Sequence, residues 1–234
     1  MFDPQCFFDK IFCISVDSRT DRQQTAKKVF AELGVSDRVE FVLVQKHPSN
    51  PEEGIFQSHL QCLRRGVEEG GKHILIFEDD ITIAHFDEKR NTAAIQQLEQ
   101  LDTWDAFFLG AISSGSKKTA SKYLAQIEYR CLTHGYALNR PFAEKVIEEQ
   151  WEGVAYDGFL KKRCRKSYAP IPMIAFQNTS VSDNKTIFLD KMRRFFGGLQ
   201  FLQRSNELLQ RYKLPIILAH LLVLTIIVLV LIQK

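Results

Sequence analysis

The chain has 234 residues, 45% of them hydrophobic and 25% charged, with a formal net charge of +3. This is the composition of a globular domain plus an appendage, and it excludes disordered and collagen-like classes. Five cysteines (Cys6, Cys13, Cys62, Cys131, Cys164) stand in odd number without CxxC spacing, which argues for reduced thiols in a cytosolic setting and against a disulfide framework or zinc site.

In chain order, residues 11–16 read as an apolar strand and residues 17–22 as a polar loop. Residues 23–33 have helical spacing and stop at Gly34. A second strand covers 39–44, a Pro-bounded loop 48–51, and a helix 55–69 ends at Gly70-Gly71. The strand 74–77 follows, then a helix over 91–101 and a strand over 106–109. Residues 113–121 are small and polar and read as a loop. A strand is expected over 131–138, a helix over 141–150 behind Pro141, and a short extended piece over 171–175. This alternation predicts an α/β fold with a largely parallel sheet.

The C-terminal part differs. Residues 186–212 alternate bulky apolar residues (Phe188, Met192, Phe195, Phe196, Leu199, Leu202) with Arg and Lys, as an interfacial amphipathic helix does, with a break at Gly197-Gly198. A helix packed on the domain would show the same pattern. Residues 214–232 carry no charge, and a helix of that length matches the hydrocarbon thickness of a bilayer. Residues 161–213 hold twelve Lys/Arg against three Asp/Glu, whereas residues 1–160 hold eighteen against twenty-five. Positive charge gathered beside a membrane span suits anionic headgroups and a cytoplasmic catalytic domain. No nucleic-acid motif accompanies it. The N-terminal ten residues lack the features of a signal peptide.

The richest segment is His73-Ile74-Leu75-Ile76-Phe77-Glu78-Asp79-Asp80-Ile81. An apolar strand runs straight into three carboxylates, at the strand end where sheet ligands bind. Three like charges there repel one another and lose hydration, and a hard divalent cation is the simplest compensator. Alternatively, Glu78 caps the strand and the two Asp residues begin a solvated turn. No GxGxxG, GxxxxGK[ST] or HExxH occurs.

Other short pieces accompany this one in order: Phe12 to Asp17 with Arg19 and Arg22; Gly54 to His59; His134 to Leu138; Tyr156 to Leu160; and Pro170 to Asp183. Their order and spacing over residues 9–185 resemble glycosyltransferase family 25, with Ser15 where the family usually has Asn. The resemblance implies a GT-A-like, Rossmann-type layered sheet, a UDP-sugar donor and a divalent metal, Mn²⁺ or Mg²⁺. It implies metal ligation by Glu78, Asp79 and Asp80, and donor binding by Ser15, Asp17, Arg19, Arg22, Ser58 and His59, the last two at a helix start. Asp157 is the implied catalytic base, with Asp183 a further Ser-Asp element. The types suit these roles: a metal neutralises a leaving diphosphate, a guanidinium fork matches its oxygens, and a partly desolvated Asp accepts a hydroxyl proton.

The expected organisation is a transferase domain over 1–185, a basic amphipathic segment over 186–213 and a transmembrane tail anchor over 214–232. The expected activity is hexose transfer, galactose being the family-implied sugar, to a membrane-held lipid-linked or glycan acceptor such as lipooligosaccharide. A metal-dependent nucleotidyl or phosphoryl transferase would use the same acidic site. A non-catalytic, membrane-tethered binding domain is the third reading.

Overall fold

The computed structural model describes residues 7–178 and 198–232. Asp183 and the first part of the expected amphipathic segment, with Phe188, Met192, Phe195 and Phe196, lie outside the described residues. The strands are β1 (Lys10–Val16), β2 (Val39–Val44), β3 (His73–Glu78), β4 (Ile81–Ile83), β5 (Ala106–Phe108), β6 (Ile112–Lys118), β7 (Leu124–Cys131), β8 (Gly135–Asn139), β9 (Ser167–Pro170) and β10 (Ala175–Gln177). The helices are α1 (Thr20–Glu32), α2 (Pro51–Glu68), α3 (Glu88–Glu99), α4 (Arg140–Ile147), α5 (Tyr156–Arg163), α6 (Gly198–Arg211) and α7 (Lys213–Ile232).

One eight-stranded sheet has the order β2-β1-β3-β8-β5-β9-β7-β6, and β4 pairs with β10 in a small antiparallel ribbon. Six strands of the large sheet share one sense, while β7 and β8 oppose it. The expected parallel character therefore holds in strand sense. The ladders themselves are mixed, because β8 is inserted antiparallel between β3 and β5.

Strand β3 shows why the sheet is covered on both sides. Ile74 and Ile76 enter one apolar layer with Phe56, Leu60 and Leu63 of α2, Phe142 of α4 and Phe159 of α5. Leu75 and Phe77 enter the other, with Val29 and Phe30 of α1 and Ile95 and Leu98 of α3. Alternate residues of a strand face opposite sides, so a continuous apolar run is what a doubly covered strand requires.

Three boundaries correct the sequence expectation. Helix α2 starts at Pro51, because the Asn50 side chain accepts the N–H groups of Glu52 and Glu53 at 3.1 and 3.4 Å and Pro51 suits the first turn. The expected loop over 113–121 is largely β6, an edge strand whose Ser, Gly and Lys residues pair with β7 through two register shifts. The strand expected over 131–138 is two strands parted by a turn, where Leu132 has φ 82.

Helix α6 is amphipathic in reverse. Gln203 is wholly buried, whereas Phe201, Leu208 and Leu209 are 58%, 56% and 48% exposed. Its polar side chains bind the domain backbone. Gln203 Nε2 donates to the Ala175 carbonyl at 2.8 Å, Asn206 bonds both the N–H and the carbonyl of Ser113 at 2.9 Å, and Glu207 Oε1 accepts from Met173 N at 3.0 Å. Gly110 makes this docking possible, since a Cβ there would lie 1.9 Å from the Ala175 oxygen. The described side chains of α7 are exposed apart from the half-buried Ile216. Among the described residues no single helix is long and apolar enough to cross a membrane. The pair Gly198–Arg211 and Lys213–Leu229, bent by 78°, meets length and composition requirements together.

Candidate active site

The parallel strands β1 and β3 end side by side, with Ile14 opposite Glu78 and the Asp79 N–H donating to the Ile14 carbonyl at 3.1 Å. This brings Ser15, Glu78, Asp79 and Asp80 together, and Arg22 reaches them from the first turns of α1. Ser15 Oγ donates to Asp79 Oδ2 at 2.6 Å, and Arg22 Nη1 donates to Asp79 Oδ1 at 3.2 Å. The same Arg22 nitrogen lies 3.8 Å from Asp80 Oδ2, which also accepts from Gln177 Nε2 of β10 at 2.7 Å. Ser15, in the position of the family's usual Asn, is thus a buried hydroxyl with a defined partner.

Glu78 turns the other way. Its Oε1 accepts from Thr133 Oγ1 at 2.6 Å and lies 3.6 Å from His59 Nε2. Burial pushes its pKa up, but the contacts with His59, Thr133 and His134 outweigh burial and hold it below the usual value. His59 is buried in an aromatic slot, stacked on Tyr156 with ring centroids 4.0 Å apart, its Nδ1 3.0 Å from the Tyr136 hydroxyl. The Tyr136 hydroxyl lies 2.9 Å from that of Tyr156. Burial raises the pKa of both phenols, which therefore stay protonated.

The three carboxylates do not converge. Among the described residues no group of three His, Cys, Asp or Glu side chains is arranged to hold a metal ion, and Glu78 and Asp79 face different partners. The reason is local: Asp79 is drawn to Ser15 and Arg22, and Glu78 to Thr133 and His59. Asp80 differs. Its Oδ1 is buried with no hydrogen-bond partner among the described residues. Its pKa is raised from 3.8 to about 7, first by burial and then by the charge of Glu78, against the lowering effects of Gln177 and Arg22. An orphaned buried carboxylate oxygen in an over-negative setting fits a cation that takes one or two protein carboxylates and completes its shell with phosphate and water.

The other expected donor contacts lie around this centre. Asp17 is exposed and accepts the Ser18 N–H at 2.7 Å. Arg19 makes two bonds of 3.0 Å to Asp21, which lower the Asp21 pKa to about 2. Ser58 and His59 lie about two turns inside α2, not at its start, so their N–H groups belong to the helix ladder. Ser58 Oγ donates to the Gly54 carbonyl at 2.7 Å. Asp157 sits in the first turn of α5 and is half-buried, its Oδ1 accepting the Gly158 N–H at 2.6 Å.

Sequence reading missed Thr133, Tyr136, Tyr156 and Gln177 as members of the site. Tyr136 and Tyr156 stood inside the quoted motifs, but nothing in their spacing foretold that both hydroxyls meet beside His59. Thr133 and Gln177 belong to a turn and a three-residue strand, which carry too little periodicity to place.

No family model matches the chain. A glycosyltransferase 25 family member from Anopheles gambiae is 25% identical in an alignment 169 positions long that covers 60% of this chain; the chain spans 28% of that relative's length. Solved structures with a similar fold include a protein from STIV (TM-score 0.44, 12% identity, covering 76% of this chain and 98% of that one). Another is a glycosyltransferase involved in glycosylation of the major capsid of PBCV-1 (TM-score 0.41, 11% identity, 66% and 74%). A third is UDP-glucose pyrophosphorylase complexed with UDP-glucose (TM-score 0.39, 10% identity, 68% and 72%). At such scores and identities the likeness carries no argument about chemistry. By sequence, the chain is similar, at a distant level, to the glycosyltransferase 25 family.

Proposed function

We propose that the chain is a metal-dependent glycosyltransferase that moves a hexose, galactose by family resemblance, from a UDP-sugar to a membrane-held saccharide such as lipooligosaccharide. The observation that carries this reading is the over-negative end of β3, with Asp80 Oδ1 buried beside Arg22 and unpartnered among the described residues. A Mn²⁺ or Mg²⁺ ion held by Asp80 would supply positive charge to the leaving diphosphate. Ser15 and Arg22 fix Asp79, and Thr133 and His59 fix Glu78, so the site is rigid before the donor arrives. Asp157 accepts the proton of the attacking acceptor hydroxyl.

The α6–α7 pair serves as membrane attachment, with the domain on the cytoplasmic side. The pair is bent by 78°, and the exposed Phe201, Leu208 and Leu209 of α6 and the apolar side chains of α7 are available to lipid. Holding enzyme and acceptor on one surface raises their effective concentration. Calorimetry of UDP-galactose binding with and without Mn²⁺ tests the donor assignment, and binding that is indifferent to Mn²⁺ overturns the metal role. Retention of label from a sugar-labelled UDP-sugar on the product separates sugar transfer from nucleotidyl transfer.

A further inference from the structure

A cleft of about 370 Å³ lies between β6, β7 and α5, the helix that carries Asp157. Lys117, Arg130, Lys161 and Arg165 line it, and Glu128 is the acidic residue among its lining side chains. Glu128 is engaged, its Oε2 accepting from Ser114 Oγ at 3.2 Å. Neighbouring bases on α5 are neutralised: Arg163 pairs with Glu149 and Glu152, and Lys162 lies 4.0 Å from Glu152. Among the described residues the four cleft bases form no ion pair. A helix C-terminus favours nearby cations, which accounts for Lys161 and its neighbours. It does not account for Lys117 and Arg130, which come from two different strands.

The cleft adjoins the proposed chemistry. Lys161 follows Asp157 by four residues on α5, so their side chains share one face about 6 Å apart. Arg130 stands three residues from Thr133, whose hydroxyl holds Glu78. Tyr129, also on the cleft wall, feels the charges of both Asp157 and Glu78. Guanidinium forks and ammonium groups facing one carboxylate leave an excess of positive charge, which suits a dianionic phosphate better than a single carboxylate.

We infer that this cleft binds a phosphate-bearing part of the acceptor, presenting the neighbouring hydroxyl to Asp157. The word acceptor rests on the glycosyltransferase reading; the phosphate site itself does not. Phosphate can arrive on a sugar or on a lipid headgroup, and the test separates them. The full chain in detergent micelles is titrated with glucose 6-phosphate, glucose, UDP and dihexanoyl-phosphatidylglycerol by calorimetry. Glucose 6-phosphate binds and glucose does not. The Arg130→Ala/Lys161→Ala double variant weakens that binding at least tenfold with an unchanged thermal melt. The Lys28→Ala/Lys145→Ala pair, which removes equal exposed charge elsewhere, has no effect. Equal weakening by the control pair overturns the proposal, because general surface charge then explains the binding. Displacement of glucose 6-phosphate by UDP overturns it too, since the phosphate then lies in the donor site. Tighter binding of the phosphatidylglycerol, lost in the same double variant, assigns the phosphate to lipid and overturns the acceptor subsite. Failure to bind UDP-sugar is read in a separate titration and counts against the glycosyltransferase reading alone.

Discussion

The two charged regions of this domain are handled in opposite ways. At the end of β3 Asp79 and Asp80 are buried and Glu78 is half-buried; Glu78 and Asp79 are held by named partners, with Asp80 half satisfied. In the β6–β7 cleft the bases are exposed and have no acidic partner among the described residues. Desolvation explains the difference. A buried charge without compensation is costly enough to force its surroundings into place, whereas an exposed one is hydrated and can wait for a ligand. The acidic end should therefore respond to substitution in both chemistry and stability, and the basic cleft in binding alone.

The largest expected effect is on turnover. Asp157→Asn keeps the size of the side chain and removes the proton acceptor, so kcat should fall about 10²–10⁴-fold with donor affinity nearly unchanged. Loss of donor affinity would make Asp157 a donor ligand instead. If only the melting temperature drops, it is a cap for α5, which its bond to Gly158 N already allows.

Next comes Arg22→Met. It leaves Asp79 and Asp80 buried without their guanidinium, and removing one partner of a buried pair costs about 3–5 kcal/mol. Urea unfolding measures this, and a loss under about 1 kcal/mol would mean that Arg22 is screened like a surface residue.

The pH dependence of stability isolates Asp80. Its folded-state pKa of about 7 stands above the ordinary 3.8, so the folded form holds the proton more tightly. The stabilisation is complete below about pH 4 and is lost as pH rises through 7, by about 2–4 kcal/mol. Without divalent cation, melting temperature should fall between pH 5 and 8, and Asp80→Asn should flatten that slope. Added Mn²⁺ should raise the melting temperature of the unsubstituted chain at pH 8 and leave the variant unchanged. A pH-independent melt would remove the case for an over-negative site.

The smallest effect is expected for Ser15→Ala, which removes one hydrogen bond to the buried Asp79 and costs about 1–3 kcal/mol. Ser15→Asn tests whether the family's usual residue is equivalent here; donor affinity within twofold of the unsubstituted chain is the expected result.

The same contrast governs what could be read from the sequence. Strands β1 and β3 were legible because burial on both faces demands unbroken apolar runs such as Ile74–Phe77, and because Gly34 and Gly70 punctuate the helices that follow β1 and β2. The acidic triplet was legible as a site, since three carboxylates behind such a strand have few bland explanations. Its internal geometry was not: consecutive side chains point in different directions, and only tertiary structure brings Arg22, Thr133 and Gln177 to them. The half built from β6 and β7 was missed for a physical reason. An edge strand needs few apolar residues, so its Ser-Ser-Gly-Ser-Lys-Lys run looks like a loop. In β7 the alternation of buried Ile127 and Tyr129 with exposed Glu128 and Arg130 was a usable signal of period two.

The reversed helix α6 has a mechanical consequence. An enzyme hung on a flexible linker samples a broad range of heights above a surface. Here Gln203, Asn206 and Glu207 clamp the helix to the backbone of the domain it serves. Under the proposed attachment, the distance from lipid to the Glu78–Asp80 centre becomes a constant of the molecule. Such an enzyme works as a gauge: it meets acceptors whose reactive sugar projects to that height and passes over shorter or longer ones, so part of its substrate choice is made by stature before any sugar is recognised.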